Sequence, residues 1–136
     1  MVLLVALDDS EPGWAALEYA LEEADDIVVV HAVDPSQSGY GEFAHFGTDS
    51  MQERLREHGE ALLEQVRDRV ADRPQQVRTE LLVGPPASSV VTYVSEHDVD
   101  RVVVGSHGRS GVSRVLLGSV AEQIARRAPA PVTIVR

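Results

Sequence analysis

A glycine-rich segment near the C-terminal end of the sequence has the residue types and the spacing of a site for anions. It contains Gly105, then Gly108, and after nine further residues Gly118 followed by Ser119. Glycine accepts a positive φ and lets the backbone come close to a ligand, and successive N–H groups in such turns form concave anion sites. Gly105 and Gly108 can both adopt a positive φ, and we expect a helix whose first N–H groups, at Gly118, Ser119 and Val120, are unpaired and face the same point. The spacing therefore predicts a phosphate site.

Two arginines lie in the same segment, Arg109 and Arg114. Each guanidinium can bind a phosphate with two parallel hydrogen bonds. A simpler interpretation is that Gly105 only ends a strand and that Ser119 only caps a helix, in a capping box with Glu122. One hydroxyl cannot fully serve both roles, so both interpretations of Ser119 stay open, whereas the complete glycine spacing favours a ligand.

The segments that must position this site alternate between strand and helix patterns. Five short apolar segments have the character of strands: 2–7, 27–33, 77–83, 101–104 and 131–136. Helical spacing of apolar residues follows each of the first four; Ser10 is expected to cap the first helix, and Asp49 or Ser50 the second. Residues 34–48 have the composition of a long loop. The order predicts a single α/β domain over residues 1–136, Rossmann-like, with a five-stranded parallel sheet of order 3-2-1-4-5 and helices on both faces.

This strand order places a ligand crevice beyond the carboxyl ends of the first and fourth strands, where the winding direction reverses. Asp8, Asp9 and Ser10 follow the first strand, and the glycine segment follows the fourth. The fifth strand is expected at an edge of the sheet. Its unpaired backbone and β-branched residues favour pairing with a second copy, so we expect a homodimer through Val132 to Val135.

The chain resembles the universal stress protein family in two stretches, "VLLVALDDSE" and "GSHGRSGVSRVLLGSVAEQIARRAPAPVTIVR". Its glycine spacing is similar to that of the nucleotide-binding branch. The resemblance implies bound ATP, with ADP or AMP as alternatives, together with Mg²⁺. It implies that Asp8 faces the nucleotide or its ion. The other implied contacts are the backbone of Ala32 or Val33 with adenine, Val104 packing nearby, and phosphate and ribose contacts at Gly105, Gly108, Gly118, Ser119 and Val120, to which Arg109 adds charge.

One position departs from the family pattern. The family usually has glycine where this chain has Asp9, so that "L-D-D-S" replaces "V-D-G-S". The additional carboxylate either repels phosphate or joins Asp8 in binding Mg²⁺. We expect a divalent ion between these two carboxylates and the phosphates.

The composition excludes several classes of function. All 12 basic residues are arginine, against 22 acidic ones, and the net charge is −10. A Walker-type P-loop needs lysine and is excluded. The charge disfavours nucleic acid and anionic membranes as partners, and the absence of cysteine excludes thiolate chemistry. We expect a cytoplasmic protein because the N-terminal segment lacks the features of a signal peptide. The acidic, lysine-free composition suggests a salt-loving source, or only an arginine-favouring genome.

The function that fits these observations is an adenine-nucleotide-binding stress-response or regulatory module. The alternatives are a slow Mg²⁺-dependent ATP hydrolase and an interaction protein with no bound nucleotide. Ser106 and His107 suggest a hydrolase only weakly, because the G-x-S-x-G elbow is absent. A dinucleotide-binding oxidoreductase is disfavoured because "DDSEPG" follows the first strand in place of a G-x-G-x-x-G turn.

Overall fold

A computed structural model describes residues 1–37, 48–107 and 117–136 of the chain. Within these ranges strands and helices alternate, as the sequence predicted. The strands are β1 (Val2–Ala6), β2 (Asp26–Val33), β3 (Gln76–Val83), β4 (Arg101–Gly105) and β5 (Val132–Val135). The helices are α1 (Glu11–Glu23), α2 (Thr48–Val70), α3 (Pro86–Glu96) and α4 (Ser119–Arg127), with a short 3-10 turn at Pro35–Gln37.

The five strands form one sheet in the order β3-β2-β1-β4-β5. All four neighbouring pairs are parallel. This confirms the predicted topology, in which β1 and β4 are neighbours and the chain winds outward from them in opposite directions. The carboxyl ends of β1 and β4 therefore meet at the reversal point, with Ala6 opposite Val104.

Each face of the sheet carries one apolar layer. Central strands are buried on both faces, as Leu3, Leu4 and Val5 show with side chains that are completely buried. Leu3 and Val5 pack with α1 and α2 on one face, and Leu4 packs with α3 and α4 on the other. Because the helices lie on both faces, the edge of the sheet formed by the carboxyl ends of the strands is left for a ligand.

Helix α1 starts as predicted. The Ser10 hydroxyl accepts a hydrogen bond of 3.0 Å from the amide of Gly13, and Pro12 lies in the first turn. Proline suits this position because its missing N–H would have had no partner in the helix.

Two other predictions about helix starts are wrong. Helix α2 already begins at Thr48, so neither Asp49 nor Ser50 stands before it as a cap. In α4 the capping position is Gly118, and no side chain among the described residues caps the helix. Ser119 is therefore inside the first turn, and the side chain of Glu122 pairs with Arg126 at 3.0 Å. A capping box needs its serine one position earlier.

The predicted loop at 34–48 agrees with the structure at its start and is wrong at its last residue. Pro35–Gln37 forms the 3-10 turn, and Thr48 is helical. Residues 38–47 lie outside the described residues. None of the described helices is long and apolar enough to cross a membrane.

Candidate functional site

Two short segments form the walls of a crevice at the carboxyl end of the sheet. Asp8, Asp9 and Ser10 lead from β1 into α1, and Ser106 and His107 follow β4. The walls touch, since the Ser10 hydroxyl lies 3.4 Å from the carbonyl oxygen of His107. The segments after β1 and after β4, which were predicted to lie on the two sides of one crevice, are therefore in contact.

Gly105 ends β4 in close contact with α1. A Cβ atom at this position would lie 2.7 Å from the carbonyl carbon of Pro12 and 2.8 Å from the amide nitrogen of Gly13. Among the described glycines, only Gly84 has a positive φ. Gly105 therefore does not use the positive φ that glycine allows, and glycine is needed there because the first turn of α1 packs directly on it.

The two ends of the glycine segment are joined by a backbone hydrogen bond. The amide of Gly118 donates to the carbonyl oxygen of Ser106 at 2.7 Å, and the Ser106 amide donates to Val135 at 2.7 Å. The prediction that the Gly118 N–H is unpaired is thus wrong. The N–H groups of Ser119 and Val120 belong to the first turn of α4, where the helix itself supplies no partner. Both residues are exposed.

Part of the predicted site falls outside the described residues. Gly108, Arg109 and Arg114 lie between the two described ends of the segment. Their phosphate contacts stay predictions. What the structure adds is that the chain leaves β4 and returns to α4 on the same side of the crevice.

Asp8 is fixed by Ser10 through one of its two carboxylate oxygens. Oδ1 accepts hydrogen bonds from the Ser10 amide at 3.2 Å and the Ser10 hydroxyl at 2.5 Å. Gly13 leaves room for this oxygen, because a Cβ there would lie 2.8 Å from it. Asp8 is exposed and Ser10 is buried. In the described part of the chain Oδ2 of Asp8 has no partner, so it is available to a ligand or a cation.

The backbone conformation of Asp9 explains why glycine is usual at this position in the family that the sequence resembles. Its φ is 62°, in the left-handed region that costs most residues energy and that aspartate tolerates better than most. Its side chain turns to α1, where Oδ1 accepts a hydrogen bond of 2.9 Å from the indole nitrogen of Trp14. One oxygen of the additional carboxylate is thus already in use. Sequence reasoning missed this role of Trp14.

Strand β2 extends past the end of β1 and contributes backbone to the crevice. Ala6, the last residue of β1, lies opposite Val30, so β2 continues for three more residues, to Val33. The Leu7 amide donates to Val30 at 2.9 Å, and the Gly84 amide donates to Val33 at 2.8 Å. Even-numbered residues of β2 therefore direct their backbone groups toward β1, and odd-numbered ones toward β3.

This alternation distinguishes Ala32 from Val33. The carbonyl of Val33 accepts from Gly84, the residue that follows β3, whereas the N–H and C=O of Ala32 point to the side where β1 has ended. Among residues 1–37, 48–107 and 117–136, neither group of Ala32 has a hydrogen-bond partner. Of the two alternatives that the sequence left open, Ala32 presents a free donor and a free acceptor at the crevice.

The remaining predicted residues, Val104, Ser106 and His107, make contacts within the protein itself. Val104 is 6% exposed and packs in the apolar layer of α3 and α4. The Ser106 hydroxyl lies 3.1 Å from Nδ1 of His107, but in the described part of the chain no carboxylate hydrogen-bonds to that ring. A nucleophile, a base and an orienting acid are not assembled there.

A second concave surface, of about 470 Å³, lies at the opposite end of β4. Its acidic lining includes Asp100, whose Oδ2 accepts a hydrogen bond of 2.7 Å from the Val2 amide and so has a structural use. Among the described residues, no group of three or more His, Cys, Asp or Glu side chains is placed to hold a metal ion. The crevice at the carboxyl end therefore remains the candidate site.

Known proteins resemble this chain over its whole length. The model of the universal stress protein family matches residues 1–136. A universal stress protein of Methanocaldococcus jannaschii is 29% identical over 138 residues, which cover 98% of this chain and 81% of the relative. The fold is that of the universal stress protein UspA from Lactobacillus plantarum, with a TM-score of 0.85 and 23% identity over 100% of this chain and 97% of that one.

A further solved structure is a universal stress protein in complex with cAMP. It has a TM-score of 0.71 and 27% identity to this chain, and the match covers 100% of this chain and 97% of that one. The family model, the full-length relative and the shared fold agree, and this chain belongs to the universal stress protein family.

Proposed function

We propose that this protein binds an adenine nucleotide, ATP in preference to ADP or AMP, in the crevice between β1 and β4, and that it acts as a stress-response module whose state depends on that nucleotide. The observation that carries the proposal is that the N–H and C=O of Ala32, on the part of β2 that extends past β1, have no partner among the described residues. A universal stress protein of the same fold holds cAMP, which supports an adenine base as the ligand.

The base would be read by the backbone of Ala32. Its N–H can donate to N1 of adenine, while its C=O accepts from the exocyclic amino group. Guanine carries an acceptor at the position of that amino group and a donor at N1, so the same pair of backbone groups would oppose it. When two donors or two acceptors face each other, both lose their hydrogen bonds, and the site discriminates strongly between the two bases. The proposal therefore includes a preference for ATP over GTP.

The phosphates would lie at the start of α4. The first-turn N–H groups of Ser119 and Val120 and the positive end of the helix dipole favour an anion there. The side chains of Leu117 and Val120 are 37% and 38% exposed and offer apolar contact beside these groups. Gly108 and Arg109 are proposed to complete the phosphate contacts from the segment between the two described ends.

A Mg²⁺ ion fits the opposite wall. Magnesium in nucleotide sites is usually held by one or two carboxylates together with phosphate oxygens and water. Asp8 is exposed and offers Oδ2, which has no partner in the described ranges of the chain. Asp9 has its second oxygen to offer, since Oδ1 accepts from Trp14. When bound, the ion would neutralise charge between the carboxylates and the phosphates. Asp8 itself is held in place by Ser10 and Gly13.

The test is direct. The purified protein is denatured, and any released nucleotide is identified by mass; nucleotide-free protein is then titrated with ATP and with GTP by calorimetry in the presence of Mg²⁺. We expect an adenine nucleotide in the first experiment and preferential ATP binding in the second. An empty crevice together with no ATP binding would contradict the proposal and leave an interaction protein without nucleotide.

A slow ATP hydrolase is the second candidate. The free Oδ2 of Asp8 is the one observation that favours it, because a Mg²⁺ ion held there could also bind the attacking water. Time-resolved ADP release in the presence of Mg²⁺, lost in Asp8→Ala, is the expected result. ATP binding without any ADP release would exclude the hydrolase and favour the binding module.

We further propose a homodimer through β5. This strand is at the edge of the sheet, and its outward side has no strand beside it within the described chain. Ile134 is an apolar side chain that is 38% exposed there. Unpaired edge strands favour pairing with another chain. We propose in addition a cytoplasmic location and, on the separate basis of its charge of −10 and its lack of lysine, adaptation to high salt.

A further inference from the structure

We infer that His31 is a positioning residue for the adenine base, because its ring holds the Leu7 carbonyl that would otherwise pair with the amide of Ala32. This inference deepens the proposed function and rests on it for the identity of the ligand. The rearrangement of the backbone that it describes can be measured without any ligand.

The hydrogen bonds at the end of β1 carry the argument. The Leu7 amide donates to the carbonyl oxygen of Val30 at 2.9 Å. In a regular parallel ladder the same residue accepts the next bond, from the amide two positions further along the neighbouring strand, which is Ala32. That bond is not formed. The Leu7 carbonyl oxygen instead lies 2.7 Å from Nδ1 of His31.

The direction of this bond follows from its chemistry. A carbonyl oxygen can only accept, so Nδ1 carries the proton and donates it to Leu7. The ring thus replaces a backbone donor at the last rung of the β1–β2 ladder. As a consequence β1 ends at Ala6, and the N–H of Ala32 stays without a partner in the part of the chain that the structure describes.

The ring is held in place by α2. A Cβ atom at Gly59 would lie 3.4 Å from Cδ2 of His31, 3.1 Å from Cγ1 of Val33 and 2.5 Å from Cδ1 of Leu81. Gly59 is buried, and its missing side chain lets the helix lie close over the end of β2. His31 is half-buried under this contact.

Removal of the ring donor should add one rung to the ladder. Without Nδ1 the Leu7 carbonyl would accept from Ala32, β1 would lengthen by one residue, and the donor for the base would be lost. One side chain thus decides whether the end of β2 pairs with β1 or remains open to a ligand.

Two substitutions distinguish the loss of the Nδ1 donor from the loss of the His31 side chain as such. His31→Leu has no donor, whereas His31→Asn places an amide nitrogen close to the position of Nδ1 and keeps the bond. His31→Val, with a side chain that favours strands, serves as a second donor-free variant if His31→Leu does not fold. His97→Leu is the matched control, because Nδ1 of His97 likewise lies 2.8 Å from a backbone carbonyl, that of Tyr93, at the other end of the sheet.

The first measurement is amide hydrogen exchange at Ala32 by NMR in nucleotide-free protein. We expect fast exchange in the wild type, in His31→Asn and in His97→Leu, and protection increased about tenfold in the donor-free variants, as one added hydrogen bond implies. A protected Ala32 amide in the wild type, or unchanged exchange in a folded donor-free variant, would overturn the inference.

The second measurement is affinity for ATP and for inorganic triphosphate. We expect the donor-free variants to bind ATP about tenfold more weakly, with triphosphate affinity unchanged. Equal loss for both ligands would mean that His31 acts on the phosphate wall and would overturn its role toward the base. If the wild type binds no ATP, the proposed function fails, while the exchange experiment still decides whether His31 keeps the Ala32 amide free.

Discussion

Asp9 and Trp14 are joined by a hydrogen bond of 2.9 Å from the indole nitrogen to Oδ1. The bond connects a carboxylate at the proposed nucleotide site to the first turns of α1, and it holds a residue whose φ is 62°. Trp14 also lies under the guanidinium of Arg69, whose central carbon is 4.6 Å from the centre of the ring. Because Trp14 is the one tryptophan of the sequence, its fluorescence should report events at the crevice.

Asp9→Asn tests whether the additional carboxylate helps to bind the ion. Asparagine tolerates the same backbone conformation and keeps an oxygen for Trp14, so only the charge is removed. We expect affinity for ATP with Mg²⁺ to fall about threefold, measured by Trp14 fluorescence or calorimetry. Asp8→Asn, which removes the charge while keeping an oxygen for Ser10, should cost about tenfold or more.

The control for Asp9→Asn is the same titration with a chelator present. There the variant should bind ATP as well as or better than the wild type, because a repulsive charge has been removed. A variant that binds more tightly in both conditions would show that Asp9 repels phosphate and does not bind the ion.

Gly105→Ala should destabilise the fold. The new Cβ would meet the backbone of Pro12 and Gly13 at 2.7 and 2.8 Å, and backbone cannot move aside as a flexible side chain can. We expect the free energy of unfolding in urea to fall by about 1–3 kcal/mol. Gly118→Ser is the control, since its φ of −64° suits any residue and serine is favoured at a helix cap. Equal stability of Gly105→Ala and the wild type would refute the packing role.

Ile134→Pro should convert the dimer into a monomer. The Val102 amide donates to the carbonyl of Pro131, and the Ser106 amide donates to that of Val135. The backbone groups of odd-numbered residues in β5 therefore point to β4, and the N–H of Ile134 points outward. Proline there removes a donor that only a partner strand could use. The expected mass by light scattering at micromolar concentration is two chains for the wild type and one for the variant.

The matched control for the dimer lies on the opposite edge of the sheet. Val83 in β3 also directs its N–H outward, since the neighbouring Gly84 donates to Val33. Val83→Pro should therefore remain dimeric. A wild-type mass of one chain, or a monomeric Val83→Pro beside a dimeric Ile134→Pro, would contradict pairing through β5.

Salt should stabilise the protein. With 22 acidic and 12 basic residues, repulsion between surface charges opposes the compact state, and salt screens that repulsion. We expect the Tm to rise steadily from dilute buffer to molar potassium chloride. Equal Tm values across this range would remove the proposal of adaptation to high salt and leave genome composition as the reason for the missing lysine.

Most of the fold could be predicted from local patterns. The buried strands are recognisable because residues such as Leu3 to Val5 are apolar on both faces, which a central parallel strand requires. Helix starts were less predictable. The cap at Ser10 was predicted correctly, whereas the start of α4 was misplaced by one residue, since glycine and serine are both good caps and stand side by side at 118 and 119.

The site was predictable in its location but not in its contacts. Gly105 was singled out as a site residue, but its packing against Pro12 and Gly13 was not predicted, because these neighbours are far from it in the sequence. The conformation of Asp9 could have been inferred from the family's glycine at that position. The free backbone of Ala32 could not, since it depends on where β1 stops.

The sequence by itself determined that strands and helices alternate, that two carboxylates follow the first strand and that a glycine segment follows the fourth, because periodicity and spacing are local properties of the chain. Tertiary structure alone decided which polar groups are already paired. Leu7 is bonded to His31, 24 positions away, and Ser106 to Gly118. Such pairings depend on the register between separate segments; among residues 1–37, 48–107 and 117–136 they leave the backbone of Ala32, the N–H of Ser119 and one oxygen of Asp8 without a partner.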